Sequence, residues 1–381
     1  MPSSSSPPKL LLTGATGYVG GSVLHHLLTH PALTSTFTSS SPITLPLRGG
    51  PDRAAILTAA YGPRVRPVPS TSLDDLEPLT ALAAQHDIVV NAASGFHPPS
   101  AEALVRGLAK RKTQTGRPTW MIHTSGCSNI ADKPMTGASR PDVEHEDARA
   151  EEVFAFEEAE NARDWYPQRA AELVALRTGE ELGVGVVSIQ SPCIFGPGSG
   201  LFNTAGLMIP IMMAYVLQNG YGLSTGDGTG CIDYVHVADL ADLYVLCVLD
   251  IVERGGVNVP TGRRGIIFPT AGRTLTIDIP RKCLDVAFAT GSLPKKDGPQ
   301  QKEIREVSLE EAAETTAGNL DVAETGYAGH RKTKGTVARE RLGWNPVHLA
   351  GAWDEDSETE LGAALNGLRG STMAACIANT K

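Results

Sequence analysis

Short apolar runs alternate with stretches of helical apolar spacing along most of the 381-residue chain. The runs Leu10–Leu12, Pro42–Leu47, Val65–Val68, Asp87–Ser94, Thr119–Thr124 and Val184–Ile189 predict strands. Val19–Leu28, Leu73–Gln85, Ala101–Lys112, Pro167–Leu182, Ile209–Leu217 and Leu240–Val252 predict helices. Helix-end chemistry agrees with several of these. Asp74, Asp75 and Glu77 suit a first turn, Lys110, Arg111 and Lys112 suit a last turn, and Pro167 suits a helix start. Asp239 reads as the cap of the helix that follows it. Beyond Gly255 the pattern is less regular, with helical spacing at Ile279–Ala289 and Ser308–Ala317.

The first strand enters a turn carrying Gly14, Gly17 and Gly20, and a helix follows at once. Strand, glycine turn and helix form the context that a dinucleotide-binding fingerprint requires. Gly14 permits the tight turn, Gly17 lets backbone approach a pyrophosphate, and Gly20 lets helix lie on strand. Thr16, Tyr18 and Val19 share this turn, and the N–H groups at the helix start face the phosphates.

The stretch T-G-A-T-G-Y-V-G resembles the short-chain dehydrogenase/reductase superfamily, in particular its extended branch of epimerases, dehydratases and ketoreductases. Three later islands are similar to that branch: S-P-C-I-F-G-P-G from Ser191, D-Y-V-H-V-A-D-L-A from Asp233, and L-G-W-N-P from Leu342. Phe195 stands where the branch carries Tyr, and Ser191 where it carries Arg. The resemblance implies an α/β fold: a Rossmann-type doubly wound parallel sheet with a smaller C-terminal α+β substrate lobe. It divides the chain into a 1–8 leader, a dinucleotide domain at 9–194 to which 232–254 return, and a lobe from 195–231 and 255–381. It also implies a fungal-type enzyme of secondary metabolism and leaves room for a homodimer. By the same resemblance, Ala92, Ala93, Ser94 and Thr124 border the cofactor, Pro192 and Ile194 border the nicotinamide, and His236 is structural.

At the end of the second strand this fold meets the adenosine ribose, where an acidic residue favours NAD. Arg48 stands there and Arg53 follows. A guanidinium suits a 2′-phosphate, so NADP is expected, with NAD open.

The superfamily's redox chemistry uses a Tyr, a Lys four residues later and a Ser after the fifth strand. No lysine lies between Lys133 and Lys282. The nearest phenol is Tyr166, and Arg169, three residues on, reaches the same face. A fixed cation there lowers a phenol pKa by proximity and is placed to bond ribose hydroxyls. Ser125 and Ser128 flank the expected serine position, and the sequence does not choose between them. The branch's diphosphate-binding arginine is replaced by Ile232, which argues against a sugar nucleotide. Leu201, Phe202, Leu207, Met208, Met212 and Met213 suit a small, largely apolar substrate.

Three readings follow. The first is an NAD(P)-dependent oxidoreductase acting on a carbonyl or alcohol. The second is a non-redox isomerase, epimerase or cyclase with bound cofactor. The third is an NADP-sensing regulatory protein. Residues 132–164, rich in Asp and Glu, read as a solvated acidic loop or lid.

A net charge of −9 argues against nucleic-acid and anionic-membrane partners. No apolar run reaches the roughly 18 residues of a membrane span. Met1–Pro8 lacks the regions of a secretion signal. Six scattered cysteines without C-x-x-C spacing fit a reduced, cytoplasmic protein with no metal site. His25 and His26, adjacent on the first helix, do not make one.

Overall fold

Leu10, Leu11 and Leu12 have no exposed surface because β1 (Leu10–Thr13) is an inner strand of a sheet covered on both faces. The structure is a computed structural model and describes residues 7–70 and 72–367. Most of the 1–8 leader and the end of the 255–381 lobe lie outside the described residues. From β1 the chain forms α1 (Tyr18–Thr29), β2 (Ile43–Leu47), α2 (Pro51–Tyr61), β3 (Val65–Pro69), α3 (Leu76–Ala83), β4 (Ile88–Asn91), α4 (Pro98–Thr115) and β5 (Trp120–Gly126). Then come β6 (Glu144–Glu146), α5 (Ala150–Arg163), α6 (Pro167–Leu182), β7 (Gly185–Ser191), β8 (Cys193–Phe195), α7 (Met208–Asn219), β9 (Gly222–Ser224) and β10 (Cys231–His236). The rest is α8 (Val237–Arg254), β11 (Ile266–Ile267), β12 (Gly272–Leu275), α9 (Asp278–Ala289), β13 (Ile304–Glu306), α10 (Leu309–Glu314), α11 (Leu320–Tyr327), β14 (Lys332–Lys334), α12 (Val337–Leu342) and α13 (Ala350–Leu365).

The large sheet runs β11-β7-β5-β4-β1-β2-β3, with every neighbouring pair parallel. Strand order reverses at β1 and β4, and doubly wound sheets bind ligands outside the carboxyl ends at such a point. The expected Rossmann-type architecture is therefore present. Register is set by size as well as pattern. Trp120 pairs with Gly185, where a Cβ would lie 2.4 Å from the indole. One apolar core packs α1 and α8 against one sheet face, and a second packs α4 and α6 against the other. A third core joins α7, α9 and α13 to the small sheet β12-β10-β8, where Trp353 stacks flat on Tyr234 at 4.5 Å.

Two expectations are corrected. Asp239 does not cap α8. His236 does, its Nδ1 accepting the Ala238 N–H at 3.1 Å. The Asp239 carboxylate instead accepts the Val347 and His348 N–H groups at 3.2 and 2.9 Å, and its carbonyl accepts the Trp344 indole N–H at 2.7 Å. The two C-terminal motifs are thus halves of one joint.

Nor is the acidic segment 132–164 a solvated loop or lid. It contains β6 and α5, with Val153 and Phe154 in the core and Glu157 fully buried. Its carboxylates clip it to residues near the C-terminus. Asp132 accepts the His330 N–H at 2.6 Å. Asp147 accepts the N–H groups of Thr336, Val337 and Phe268 at 2.8, 3.1 and 3.1 Å and the Thr336 hydroxyl at 2.9 Å. Glu324 reaches back to the N–H groups of Met135 and Thr136 at 2.7 and 2.9 Å. β6 pairs with β14, Glu144 opposite Lys332. Asp142, Glu144, Glu151 and Glu152 are exposed as expected, but Asp132 and Asp147 saturate buried N–H groups, which composition does not report.

Removing such a carboxylate strands its donors. Asp147→Ala is expected to lower unfolding free energy by roughly 2–4 kcal/mol, since hydrogen bonds to charged groups are each worth about 1.5–3 kcal/mol. Chemical denaturation of the variant checks this, and a loss below about 1 kcal/mol would count against the clip.

Candidate functional site

The glycine turn has the geometry its spacing predicts. Gly14 sits at φ +75°, and a Cβ there would lie 2.2 Å from the Ala92 carbonyl oxygen. A Cβ on Gly20 would lie 2.2 Å from the Gly14 carbonyl oxygen. These two glycines are forced by backbone contact. Gly17 is different. Its Cβ would meet only the Gly14 oxygen at 3.2 Å, and as N-cap of α1 it offers no side-chain cap. No side chain caps the start of α1, where the N–H groups of Tyr18 and Val19 lie. Helix-start donors beside half-buried Thr16 and Gly17 fit the pyrophosphate of a dinucleotide. The Tyr18 side chain serves another purpose: its buried hydroxyl donates to the Gly196 carbonyl at 2.5 Å, tying the turn to the chain after β8.

Ala92 and Ala93 follow the end of β4 and are half-buried, as wall residues would be. Ser94 is buried, with its Oγ accepting the Phe96 N–H at 3.1 Å. Thr124 spends its hydroxyl on Tyr244 Oη at 2.6 Å. Pro192 is buried and Ile194 half-buried between β7 and the second lobe. Arg48 is exposed at the end of β2, where its carbonyl accepts Arg53 Nη1 at 3.3 Å.

Tyr166 is the N-cap residue of α6, and its ring is buried edge-on to Phe96. Its hydroxyl donates to Ser128 Oγ at 3.2 Å, and Ser128 in turn donates to Gln168 Oε1. Gln168 fills the space between the ends of β4 and β5. A Cβ on Gly126 would lie 2.9 Å from its Nε2, and one on Gly95 3.4 Å from it. Gln168 therefore lies against Gly95 and Gly126 and connects, through Ser128, to the Tyr166 hydroxyl. Ser125 does not join them. It is buried on the other side of the turn, its Oγ accepting Asn129 Nδ2 at 3.1 Å.

Arg169 lies beneath the Tyr166 ring, with Cζ 5.7 Å from its centroid. Its Nε donates to the Asn129 carbonyl at 2.8 Å and its Nη1 to that of Asp164 at 3.1 Å. It is buried and bonded to backbone, so it does not reach a ribose. Arg169 lowers the phenol pKa as expected, but burial outweighs it and Tyr166 is held above the ordinary phenol range. The Ser128 hydrogen bond and the charge of Arg331 also favour the phenolate, Arg331 more than Arg169.

Sequence reasoning passed over four residues. Gln168 carried no motif. Glu157 and Glu172 are both fully buried, linked through Gln190 Nε2 at 2.5 Å and 3.3 Å. Glu172 also accepts Asn129 Nδ2 at 2.9 Å, so the pair supports the turn that carries Ser125 and Ser128. Arg331 lies far along the chain, in a stretch without helical or strand periodicity. A weak signal existed for Glu172 alone, since it interrupts the apolar face of α6.

Burial holds the Glu172 carboxyl up at about 7, against an ordinary 4.5, and pushes Glu157 up as well. The folded protein therefore keeps a proton that the unfolded chain releases from about pH 4.5 upwards. The stability from Glu172 is complete below that pH and is lost as pH rises through about 7. One such proton contributes a slope of at most about 1.4 kcal/mol per pH unit. Glu172→Gln, which stays neutral, is expected to flatten the fall in melting temperature between pH 5 and 8. Parallel wild-type and variant curves would refute it.

No family model matches the chain. It is 29% identical over 354 residues to the oxidase UcsJ of an Acremonium species, covering 89% of this chain and 93% of that protein. A 144-residue stretch, 35% of this chain, is 31% identical to part of the nonribosomal peptide synthetase AcrB of Aspergillus aculeatus, of which it covers 9%. Among solved structures, the dTDP-glucose 4,6-dehydratase DesIV of Streptomyces venezuelae, with NAD bound, superposes with a TM-score of 0.59 at 17% identity, over 92% of this chain and 95% of that one. The UDP-glucuronic acid 4-epimerase of Bacillus cereus, also with NAD, gives 0.58 at 14% identity, over 93% and 99%. The fold of this chain is that of these dehydratase and epimerase structures.

Proposed function

We propose that this chain is an NAD(P)-dependent oxidoreductase that interconverts a carbonyl and an alcohol on a small metabolite. The observation that carries this reading is the Tyr166–Ser128 hydroxyl pair, 3.2 Å apart at the carboxyl edge of β5. A bound nicotinamide supplies or accepts the hydride. The residues manage the proton. A buried phenol with a raised pKa stays protonated at neutral pH, so Tyr166 is set to donate to the oxygen of a carbonyl under reduction. Ser128 accepts from Tyr166 and donates to Gln168, so it positions the phenol hydroxyl that meets the reacting oxygen. Arg169 and Arg331 stabilise the phenolate left behind. The name of the Acremonium relative, an oxidase, agrees with a redox reaction. The guanidinium groups at the end of β2 favour NADP over NAD.

One observation favours a second reading. Gln168, not an ammonium, occupies the place between Gly95 and Gly126. A neutral amide gives the phenol no fixed charge, which suits an isomerase that retains its cofactor. Turnover without added cofactor would select that reading.

The oxidoreductase reading is tested by screening carbonyl compounds and alcohols for change in cofactor absorbance. Consumption of NADPH by some carbonyl is expected, and silence across carbonyls and alcohols with both cofactors would refute it. Tyr166→Phe is expected to cut kcat roughly 10²–10⁴-fold with cofactor affinity unchanged. Alcohol oxidation should rise towards alkaline pH as the phenol ionises, while carbonyl reduction holds through neutral pH. Arg48→Ala with Arg53→Ala should narrow the preference for NADPH over NADH by about tenfold, or 1.4 kcal/mol. Unchanged preference would assign cofactor choice elsewhere.

A further inference from the structure

Arg331 is the cation that the described structure leaves without an anion at the candidate site. Its Nε is buried and has no hydrogen-bond partner among the described residues. Its Nη2 meets only the Met208 sulfur, at 3.3 Å, which is a weak acceptor. Its backbone is fixed, with the N–H on the Cys231 carbonyl at 2.9 Å and the residue bridged to Ile232. The carboxylates nearest its neighbours are committed elsewhere. Asp132 serves His330, Asp233 serves Arg273 and Thr333, and Glu324 serves Met135 and Thr136. No described carboxylate forms an ion pair with Arg331.

The charge of Arg331 acts on Tyr166 at the start of α6, on Cys127 after β5 and on Cys193 in β8. Those residues come from three separate elements, and His330, next to Arg331, is bonded to Asp132 just past the turn that carries Ser128. The guanidinium therefore lies near the phenol. A half-buried guanidinium with only a thioether against it is costly unless an anion completes it. A guanidinium is also the group best shaped to take a carboxylate with two parallel hydrogen bonds.

We propose that the substrate carries a carboxylate, and that Arg331 binds it and so aims the reacting oxygen at Tyr166 and Ser128. This rests on the reading that the hollow beside Tyr166 is the substrate site. It amends the expectation of a largely apolar substrate: Met208 offers an apolar wall, and the far end of the molecule is charged. It also places a cation beside Ile232, from the bridged residue Arg331.

The test pairs oxo acids with their methyl esters, aliphatic and aromatic. Each is scored by thermal shift of the NADPH-loaded protein and by NADPH consumption. Acids are expected to stabilise the wild-type complex and esters to do so at least tenfold more weakly by concentration. Arg331→Met should erase that preference, Arg331→Lys should restore part of it, and both should leave NADPH affinity within twofold. Esters matching acids, no acid in the panel binding, or Arg331→Met keeping the acid preference would overturn the proposal. So would a matching loss of NADPH affinity in Arg331→Met, which would place the guanidinium on a cofactor phosphate. Acid binding that depends on Arg331 without NADPH consumption would instead sink the oxidoreductase reading and leave the carboxylate site standing. Reduction of neutral carbonyls untouched by Arg331→Met, with no acid binding, would do the reverse.

Discussion

Buried carboxylates that saturate backbone N–H groups hold the site-bearing parts of this molecule together. Asp147 satisfies the start of α12, Asp132 fixes His330, Glu324 fixes the turn at Met135, and Asp233 fixes Thr333. All of these bonds join the inserted segment or β10 to the stretch 324–337. Each is long in sequence, so each closes a large loop, and none is a surface ion pair of the kind that contributes little. The stretch they immobilise is the one that carries Arg331. A rigid backbone there matters because a half-buried guanidinium with slack backbone would swing to water.

This allocation of charge separates structural from chemical residues. Carboxylates in the joint have every oxygen engaged by N–H or hydroxyl groups. Arg273, on the neighbouring strand, is likewise paired with Asp233 at 2.6 Å and with Glu144 at 2.7 Å. Arg331 stands apart from that pattern, and so does the Glu157–Glu172 pair, where burial keeps protons on groups that are ionised in water. Both exceptions border the turn bearing Ser125 and Ser128. Departures from full pairing concentrate where a ligand or proton is handled.

What could be read from the chain follows from whether a residue's requirement is local. Gly14 and Gly20 are legible because close backbone contact leaves no other residue type. Tyr166, Arg169 and the two serines are legible as candidates because the serines lie at the end of β5 and the other two at the start of α6, where the resemblance points. The choice of Ser128 over Ser125 was not, since it depends on which way a short turn faces. Asp239 was misplaced because capping chemistry and loop-docking chemistry use the same carboxylate. The acidic segment was misread for a related reason: its partners lie some 190 residues away, and no periodicity marks them.

The missing lysine then has a physical answer in two parts. A lysine beside the phenol provides both a positive field and a donor for ribose. Here those duties are divided. The field comes from Arg169 and Arg331, whose charges are permanent and whose positions are fixed by backbone hydrogen bonds at 2.8 and 2.9 Å. The hydrogen-bonding position between β4 and β5 falls to Gln168, which is neutral and holds Ser128. Burial still outweighs both guanidiniums, so the phenol remains an acid rather than a base at neutral pH. An anion on Arg331 would weaken one of those two fields and raise the phenol further. The charged end of a substrate would thus make Tyr166 a weaker acid, and stabilisation of the phenolate would fall to Arg169 and the Ser128 hydrogen bond.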